Sequence, residues 1–130
     1  MSDLIKTMAL SASGMEAQAS RLRHVSENIA NTDTPGYRRK TVTFDDVMSG
    51  LPNAGEVKTG RVRLDQSELT RIYDPTNPMS DETGHYDGSN VNLVVEIADA
   101  REAQRSYEAN LKLFDQARKM SGSLLELLRR

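Results

Sequence analysis

Residues 26–37 read SENIANTDTPGY, and this stretch separates a helical first part of the chain from an irregular middle part. Asparagine, aspartate and glycine favour turns because they tolerate or stabilise local bends of the backbone. Pro35 disfavours helical geometry at Thr34, so a helix that enters the stretch is expected to end within it. We therefore expect a first helix from about Leu4 to about Ala30, followed by a terminating turn.

Within the first predicted helix, apolar or small residues recur at an interval of seven. One row is large and apolar and contains Met1, Met8, Met15, Leu22 and Ile29. A second row is smaller and contains Ile5, Ala12, Ala19 and Ser26. Two such rows predict a narrow, coiled-coil-like seam, and the small second row would let a partner helix approach closely.

A second long helix is predicted at the other end of the chain. It should begin near Asn92, a residue type that caps helix N-termini, and continue almost to Arg130. Gly122 weakens this helix by about 1 kcal/mol relative to alanine. Residues 124–128, LLELL, are strongly apolar. The heptad rows are Ile97, Gln104, Leu111, Arg118 and Leu125, and Ala100, Tyr107, Phe114, Ser121 and Leu128.

The middle part differs in composition, since residues 35–90 hold all four prolines and six of the eight glycines. Alternating apolar and polar residues predict short strands near 41–44, 61–64 and 69–73. Residues 74–90 read as a long polar loop. The expected fold class is mainly α, with long N- and C-terminal helices forming coiled-coil-like layers and a small central β/loop segment. The expected division is 1–34, an axial helix with its terminating turn; 35–90, the central segment; and 91–130, a second axial helix.

The bulk composition excludes several classes of function. Hydrophobic residues make up 37% of the chain and the net charge is −2, so neither a large core nor an affinity for nucleic acid is expected. The absence of cysteine excludes disulfides and thiolate chemistry. We expect no membrane span, because no apolar run approaches about 18–20 residues. We also expect no cleaved leader at the N-terminus.

No group of residues predicts catalysis, a cofactor or a metal, so an enzyme is not expected. His24 and His85 lie in different segments without ligand spacing and are interpreted as solvated surface residues. Asp45 and Asp46 should point to opposite faces of a strand. The basic run 38–40 is interpreted as a rim contact to an acidic partner or as plainly solvated, in preference to a nucleic-acid site.

Two arrangements of the terminal helices remain open from periodicity alone. Both helices carry few large apolar residues for their length, so they could gain order only from neighbouring subunits. They could equally form an intramolecular hairpin packed on the β segment. Asn28 and Asn31 lie on one helical face, where they could contact the next subunit or simply end the helix.

The stretch SENIANTDTPGY, preceded by SASGMEAQ at residues 11–18, resembles the signature of the flagellar rod and hook axial proteins. Residues 91–96 (VNLVVE) and 102–111 (EAQRSYEANL) resemble the matching C-terminal block of that family. The chain is short for members with large central inserts. The Tyr73-Asp74-Pro75 turn, Gly84 and residues 90–92 resemble the FlgC type of proximal rod protein. The alternatives are the sister FlgB type and a cytosolic coiled-coil adaptor or chaperone.

The resemblance implies a structural subunit of the proximal rod, which crosses the periplasm and transmits torque for motility. Members of the family are exported by the flagellar type III apparatus without a cleaved signal. Their terminal helices become ordered on assembly and form concentric layers, and the middle segment faces outward from these layers. Implied partners are the other proximal and distal rod proteins, the rod-base adaptor and the export apparatus, with no nucleic acid or small-molecule substrate. The predicted assembly interface contains Met8, Met15, Leu22, Asn28, Ile29, Asn31, Ile97, Gln104, Tyr107, Leu111, Phe114, Leu125 and Leu128.

Overall fold

The computed structural model describes residues 2–130, so Met1 of the first predicted row lies outside the described residues. Two long helices flank two small sheets, which confirms the mainly α class with a central β segment. The elements in chain order are α1 (Ser2–Ala30), β1 (Lys40–Asp46), β2 (Val57–Leu64), β3 (Arg71–Tyr73), β4 (His85–Asp87) and α2 (Leu93–Arg129).

The predicted turn after α1 is confirmed. The backbone N–H of Asn31 still bonds to the Glu27 carbonyl at 3.0 Å, and the chain then leaves the helix. Gly36 has a φ of 74°, a left-handed conformation that glycine adopts without the clash a Cβ would cause. Its N–H donates to the carbonyls of Asp87 and Gly88, both at 3.1 Å, so the turn is fixed against the distant β4 strand.

The central segment contains two antiparallel pairs of strands. β1 pairs with β2 in a hairpin that lies along α1, and β3 pairs with β4 in a second, smaller unit. The predicted strands near 41–44, 61–64 and 69–73 are confirmed. The prediction of an uninterrupted loop over residues 74–90 is wrong, because residues 85–87 form β4. Three residues with one central aromatic give too short an alternation to be recognised.

The N-terminal cap of α2 is confirmed. Asn92 is extended, and its side-chain oxygen accepts hydrogen bonds from the N–H groups of Val94 at 3.1 Å and Val95 at 3.4 Å. These bonds satisfy donors that have no partner within the helix. α2 has 37 residues against 29 in α1, so it is longer by about 12 Å.

The two helices pack against each other antiparallel within the chain. Arg21, late in α1, bonds to Asp99, early in α2, at 3.4 Å. Gly14 lies against Asn110, whose Nδ2 would be 2.8 Å from a Cβ at position 14. Within the single chain the helices therefore form an intramolecular hairpin, one of the two arrangements that periodicity left open.

The seam between the helices is built from small and polar residues. Its buried positions are Ser11, Ala17, Ser20, Val25 and Asn28 on α1, and Glu96, Ala103 and Ala117 on α2. Small side chains allow the helix axes to come close, but they bury little apolar surface. The apolar heptad rows expected to form a seam lie beside this one or face solvent.

The molecule has little core for its size. Its accessible surface is 9230 Å², whereas a compact monomer of 14.5 kDa would expose about 6,900 Å². Among the described residues, the buried hydrophobic side chains are Ala17, Val25, Ala103 and Ala117. Large apolar side chains are therefore mostly left at the surface.

Candidate assembly interface

Asn28 is the centre of a polar junction where both helices meet the β segment. Its side chain is fully buried, with 0% exposure. Its Nδ2 donates to the Lys40 carbonyl at 2.9 Å and to Glu96 Oε2 at 3.2 Å. Its Oδ1 accepts from the Lys40 N–H and from the Tyr37 hydroxyl, both at 2.9 Å. The amide of Asn28 thus pairs with the first residue of β1 as a neighbouring strand would.

Charged side chains extend the junction from β1 to α2. Glu96 is also fully buried, and it accepts a hydrogen bond from Nε of Arg39. Nη2 of Arg39 reaches Asp99 Oδ2 at 2.8 Å. Desolvation opposes the charge of Arg39, but the bond to Glu96 and the nearby Asp99 outweigh it and raise the pKa of the guanidinium. A buried carboxylate is tolerated here because two donors, Asn28 and Arg39, satisfy it.

The loop before α2 completes the junction. Asn90 Oδ1 accepts from the Arg39 N–H at 2.6 Å, and its Nδ2 donates to the Asp65 carbonyl at 2.9 Å. The Ser89 hydroxyl donates to the Thr32 carbonyl. Burial raises the pKa of the Tyr37 phenol, which therefore remains a hydrogen-bond donor over a wider pH range. The end of α1, both ends of the hairpin and the start of α2 are thereby fixed together.

The basic run 38–40 is part of this network, so its interpretation as a rim contact or a solvated run is wrong. Arg38 Nη1 donates to the carbonyls of Asp65 at 3.1 Å and Ser67 at 3.0 Å. Lys40 Nζ pairs with Glu27 at 2.7 Å. Each cation has a specific partner within the chain, which the order of residues alone does not reveal.

The histidines are not solvated as expected. His24 is half-buried, and its buried Nδ1 has no hydrogen-bond partner within the described chain. His85 is half-buried against Tyr73, with ring centroids 5.1 Å apart. The opposite orientation of Asp45 and Asp46 is supported by the strand register, in which they pair with Lys58 and Val57.

The predicted interface residues fall into three groups. Asn28 is buried and makes its observed contacts within the chain, and Asn31 is half-buried, with its amide bonded to the Glu27 carbonyl at 2.8 Å. Their role between subunits stays a prediction. A second group is half-buried beside the seam: Met8, Met15, Leu22, Tyr107 and Phe114. The third group faces solvent: Ile29, Ile97, Gln104, Leu111, Leu125 and Leu128.

The solvent-facing row of α2 extends along the helix with apolar and polar residues in turn. Ile97, Leu111 and Leu125 are 42%, 47% and 51% exposed. We call this set, with Gln104 and Arg118 between them, the outer row of α2. If the helix pairing continues one residue for one, Ser2 lies level with about residue 122 of α2. The last turns of α2, with exposed Leu124, Leu127 and Leu128, therefore extend beyond α1.

Sequence reasoning missed Arg39, Glu96, Asp99 and Asn90 as a unit. Asn28 and Glu96 are 68 positions apart, and no local pattern links them. A signal did exist in part: Glu96 interrupts an otherwise apolar turn at the start of α2.

Residues 2–130 contain no group of side chains suited to a metal ion. Within the same residues, no helix combines the length and apolar character that a bilayer span requires.

A two-helix hairpin with a small core, a rigid polar junction and exposed apolar rows is the form of a structural subunit that neighbours cover. Comparisons with known proteins support a structural subunit of this kind. Residues 8–38 match the family model described as Flagella basal body rod protein, and residues 82–127 match Flagellar basal body rod FlgEFG protein C-terminal. The matched regions contain most of α1 with its turn and most of α2.

Relatives that align over most of the chain define the family within this class of protein. The flagellar basal-body rod protein FlgC of Agrobacterium fabrum is 43% identical, and the alignment covers 99% of this chain and 98% of that protein. The FlgC proteins of Bacillus subtilis and Aquifex aeolicus are 33% and 38% identical, over 93% and 88% of this chain and 95% and 89% of their own lengths. The chain belongs to the FlgC family of flagellar basal-body rod proteins. The FlgC-type interpretation is confirmed, and the FlgB-type and cytosolic alternatives are not favoured.

Proposed function

We propose that this chain is a structural subunit of the proximal rod, and that it joins neighbouring rod subunits through the exposed apolar rows of its two helices. The observation that carries the proposal is the outer row of α2, which is apolar at Ile97, Leu111 and Leu125 and uncovered in the single chain. Exposed apolar residues that recur on one side of a helix are typical of a surface that a second helix covers.

The energetics favour neighbours over solvent. Completing the burial of a half-exposed leucine or isoleucine contributes about 1 kcal/mol. The outer row, the last turns of α2 and the exposed Ile5 and Ile29 of α1 supply many such increments. The intramolecular seam, made of small residues, leaves this apolar surface uncovered.

The same geometry suits a part that transmits torque. The polar junction fixes the directions of α1, α2 and the β1–β2 hairpin by hydrogen bonds from several elements. We propose that residues 1–34 and 91–130 form the axial layers and that residues 35–90 face outward. Neighbours would be the other proximal rod proteins, the distal rod and the rod-base adaptor. The subunit would reach the periplasm through the flagellar export apparatus.

The test is a pair of charged substitutions on the outer row, Ile97→Asp with Leu111→Asp. Both side chains are only about half-buried in the single chain, so the free energy of unfolding of the monomer should fall by no more than about 2 kcal/mol. In cells that lack the natural chain, the variant should be missing from purified basal bodies, and the cells should not swim.

Gln116→Asp is the control for added charge, because it adds one of the two negative charges that the pair adds, at an exposed polar position of α2. It should enter basal bodies and support swimming. Normal incorporation of the Ile97→Asp/Leu111→Asp protein would refute the outer row as an assembly surface. Location of the natural chain in the cytosol, apart from basal bodies, would refute the rod assignment itself.

A further inference from the structure

Three cations share one face of the β1–β2 hairpin. In the register, Thr41 pairs with Arg63 and Asp45 with Lys58, and a bulge lies between these pairs. The bulge adds one residue to β2, so Arg61 joins Lys58 and Arg63 on the same face although the spacing 58, 61, 63 does not alternate. We call these three residues the basic face.

The basic face borders α1 at Lys58, which lines a groove with Glu16 and Ala17, and its other two cations lie further along β2. The opposite face of the hairpin carries Val42 and Phe44, which line a groove of about 310 Å³ together with Val25 of α1. Lys58, Arg61 and Arg63 are exposed, and among residues 2–130 none of them has a carboxylate within 4.0 Å. β2 contains these three cations and no acidic residue, but Asp45 of β1 pairs with Lys58 on the same face, so this face carries a net charge of +2.

A second unit of the central segment has the opposite charge. Residues 70–90, which we call the acidic arm, hold four carboxylates and one guanidinium, a net charge of −3 with histidine neutral. The carboxylates belong to Asp74, Asp81, Glu82 and Asp87. β3 and β4 pair with each other and pack against none of the other described helices or strands, and Asn90 at the end of the arm joins it to Arg39 and Asp65 beside the ends of the hairpin.

The acidic arm is already rigid before it meets a partner. Asp81 accepts from Arg71 at 2.7 Å and from the Thr83 hydroxyl at 2.6 Å, which fixes the turn between the strands. Tyr73 and Met79 are 66% and 64% exposed on the same unit. A rigid projection with exposed apolar side chains and excess negative charge loses little conformational entropy on docking.

We propose that the basic face of one copy of this chain binds the acidic arm of a second copy. The inference rests on the proposed function, because it names a contact between subunits of the assembly. The net charges of the two surfaces are of opposite sign, +2 and −3, and the strands of the hairpin do not pack against the strands of the arm within one chain. Since the surfaces differ, the contact is heterologous and can repeat from copy to copy in one direction. Nucleic acid is a poorer match, because the chain as a whole is negative and the basic face contains no aromatic residue for stacking.

The experiment compares two charge-reversed full-length proteins by light scattering at low ionic strength. One carries Lys58→Glu, Arg61→Glu and Arg63→Glu on the basic face. The other carries Glu82→Lys and Asp87→Lys on the acidic arm, leaving Asp81 in place. Each alone should self-associate about tenfold or more weakly than the natural chain. A one-to-one mixture should regain association, because each protein then supplies the surface that the other has lost. Added salt should weaken association of the natural chain.

Three results would overturn the proposal. Unchanged self-association of both variants would assign the contact to the helical rows, and the rod assignment would stand. A natural chain that stays monomeric at every concentration would refute the contact. The rod assignment would then be tested separately, by incorporation of the chain into basal bodies. Binding of a labelled DNA duplex that is lost in the basic-face variant, with no self-association of the natural chain, would show that the basic face takes nucleic acid instead.

Discussion

Asn28 holds a helix against a strand with a single amide group. It donates two hydrogen bonds and accepts two, and three of these four involve Tyr37 and the backbone of Lys40. An amide is suited to this position because it is neutral and offers both donors and acceptors. The junction is therefore fixed without adding a further charge beside buried Glu96.

Replacing Asn28 with alanine should be costly for this reason. Asn28→Ala leaves the Lys40 N–H and carbonyl and the Tyr37 hydroxyl without this partner, and we expect a loss of about 2–4 kcal/mol in the free energy of unfolding. Urea denaturation followed by circular dichroism measures it. Asn31→Ala is the control and should cost under about 1 kcal/mol, because Asn31 is only half-buried. Equal costs for the two variants would contradict the central role of Asn28.

Asp81 gives the acidic arm a dependence on pH. Its pKa is well below the usual value because the Thr83 hydroxyl, then Arg71, donate to the carboxylate. A depressed pKa stabilises the folded arm above the unfolded pKa of about 4, and this stability is lost as pH falls toward the folded value.

Removing the Thr83 hydroxyl should raise the pKa of Asp81 toward about 4. Thr83→Val makes this change while retaining a β-branched side chain, and carboxyl carbon shifts in an NMR titration report the pKa. Thr76→Val removes the equivalent bond to Asp74 and should leave Asp81 unaffected. An Asp81 pKa that does not respond to Thr83→Val would show that the hydroxyl does not cause the depression.

At the scale of elements, glycine has a different effect in each of the two helices. Gly14 lies in the seam, where Asn110 occupies the space that a side chain would fill. Gly122 lies in the last turns of α2, where a Cβ would have no neighbouring atom within 4 Å. One glycine permits close packing, whereas the other only weakens a helix.

Alanine substitutions separate these roles. Gly122→Ala should stabilise α2 by about 0.5–1 kcal/mol through helix propensity alone. Gly14→Ala gains the same propensity but pushes Asn110 from its bond to the Ser106 carbonyl at 3.0 Å, so it should give no net stabilisation. Thermal melts monitored at a helical wavelength compare the two. A clear gain for Gly14→Ala would show that the seam has room to spare.

At the scale of the whole molecule, the exposed surface area favours assembly. The chain exposes more surface than a compact protein of its mass, and much of its apolar content lies on the outside. The polar junction meanwhile gives the single chain a definite shape. Such a subunit holds its binding surfaces in place before assembly, and it gains further stability when neighbouring subunits cover them.

The melting temperature should therefore rise with protein concentration. Association stabilises the folded chain by mass action, because neighbours bind the folded state and not the unfolded one. Circular dichroism melts over a wide concentration range measure the effect, and Ile97→Asp with Leu111→Asp should abolish it, whereas Gln116→Asp should not. A sharp, concentration-independent melt of the natural chain would contradict stabilisation by neighbours.

The sequence by itself determined the helices, three of the four strands and the family. These features depend on local signals: Pro35 and Gly36 end α1, Asn92 caps α2, and alternating residues mark the longer strands. The resemblance at residues 26–37 added the class of protein. Such signals act between residues close in the chain, so they can be recognised without knowing the fold.

Only the tertiary structure decided which faces the helices turn toward each other. Periodicity identified apolar rows, but it could not say whether a row meets the other helix or another subunit, because burial stabilises either arrangement equally. The observed seam uses the smaller, more polar positions and leaves Ile97, Leu111 and Leu125 outside. The link from Asn28 through Glu96 to Arg39 likewise depends on directional bonds between residues far apart in the chain, which only the folded geometry brings together.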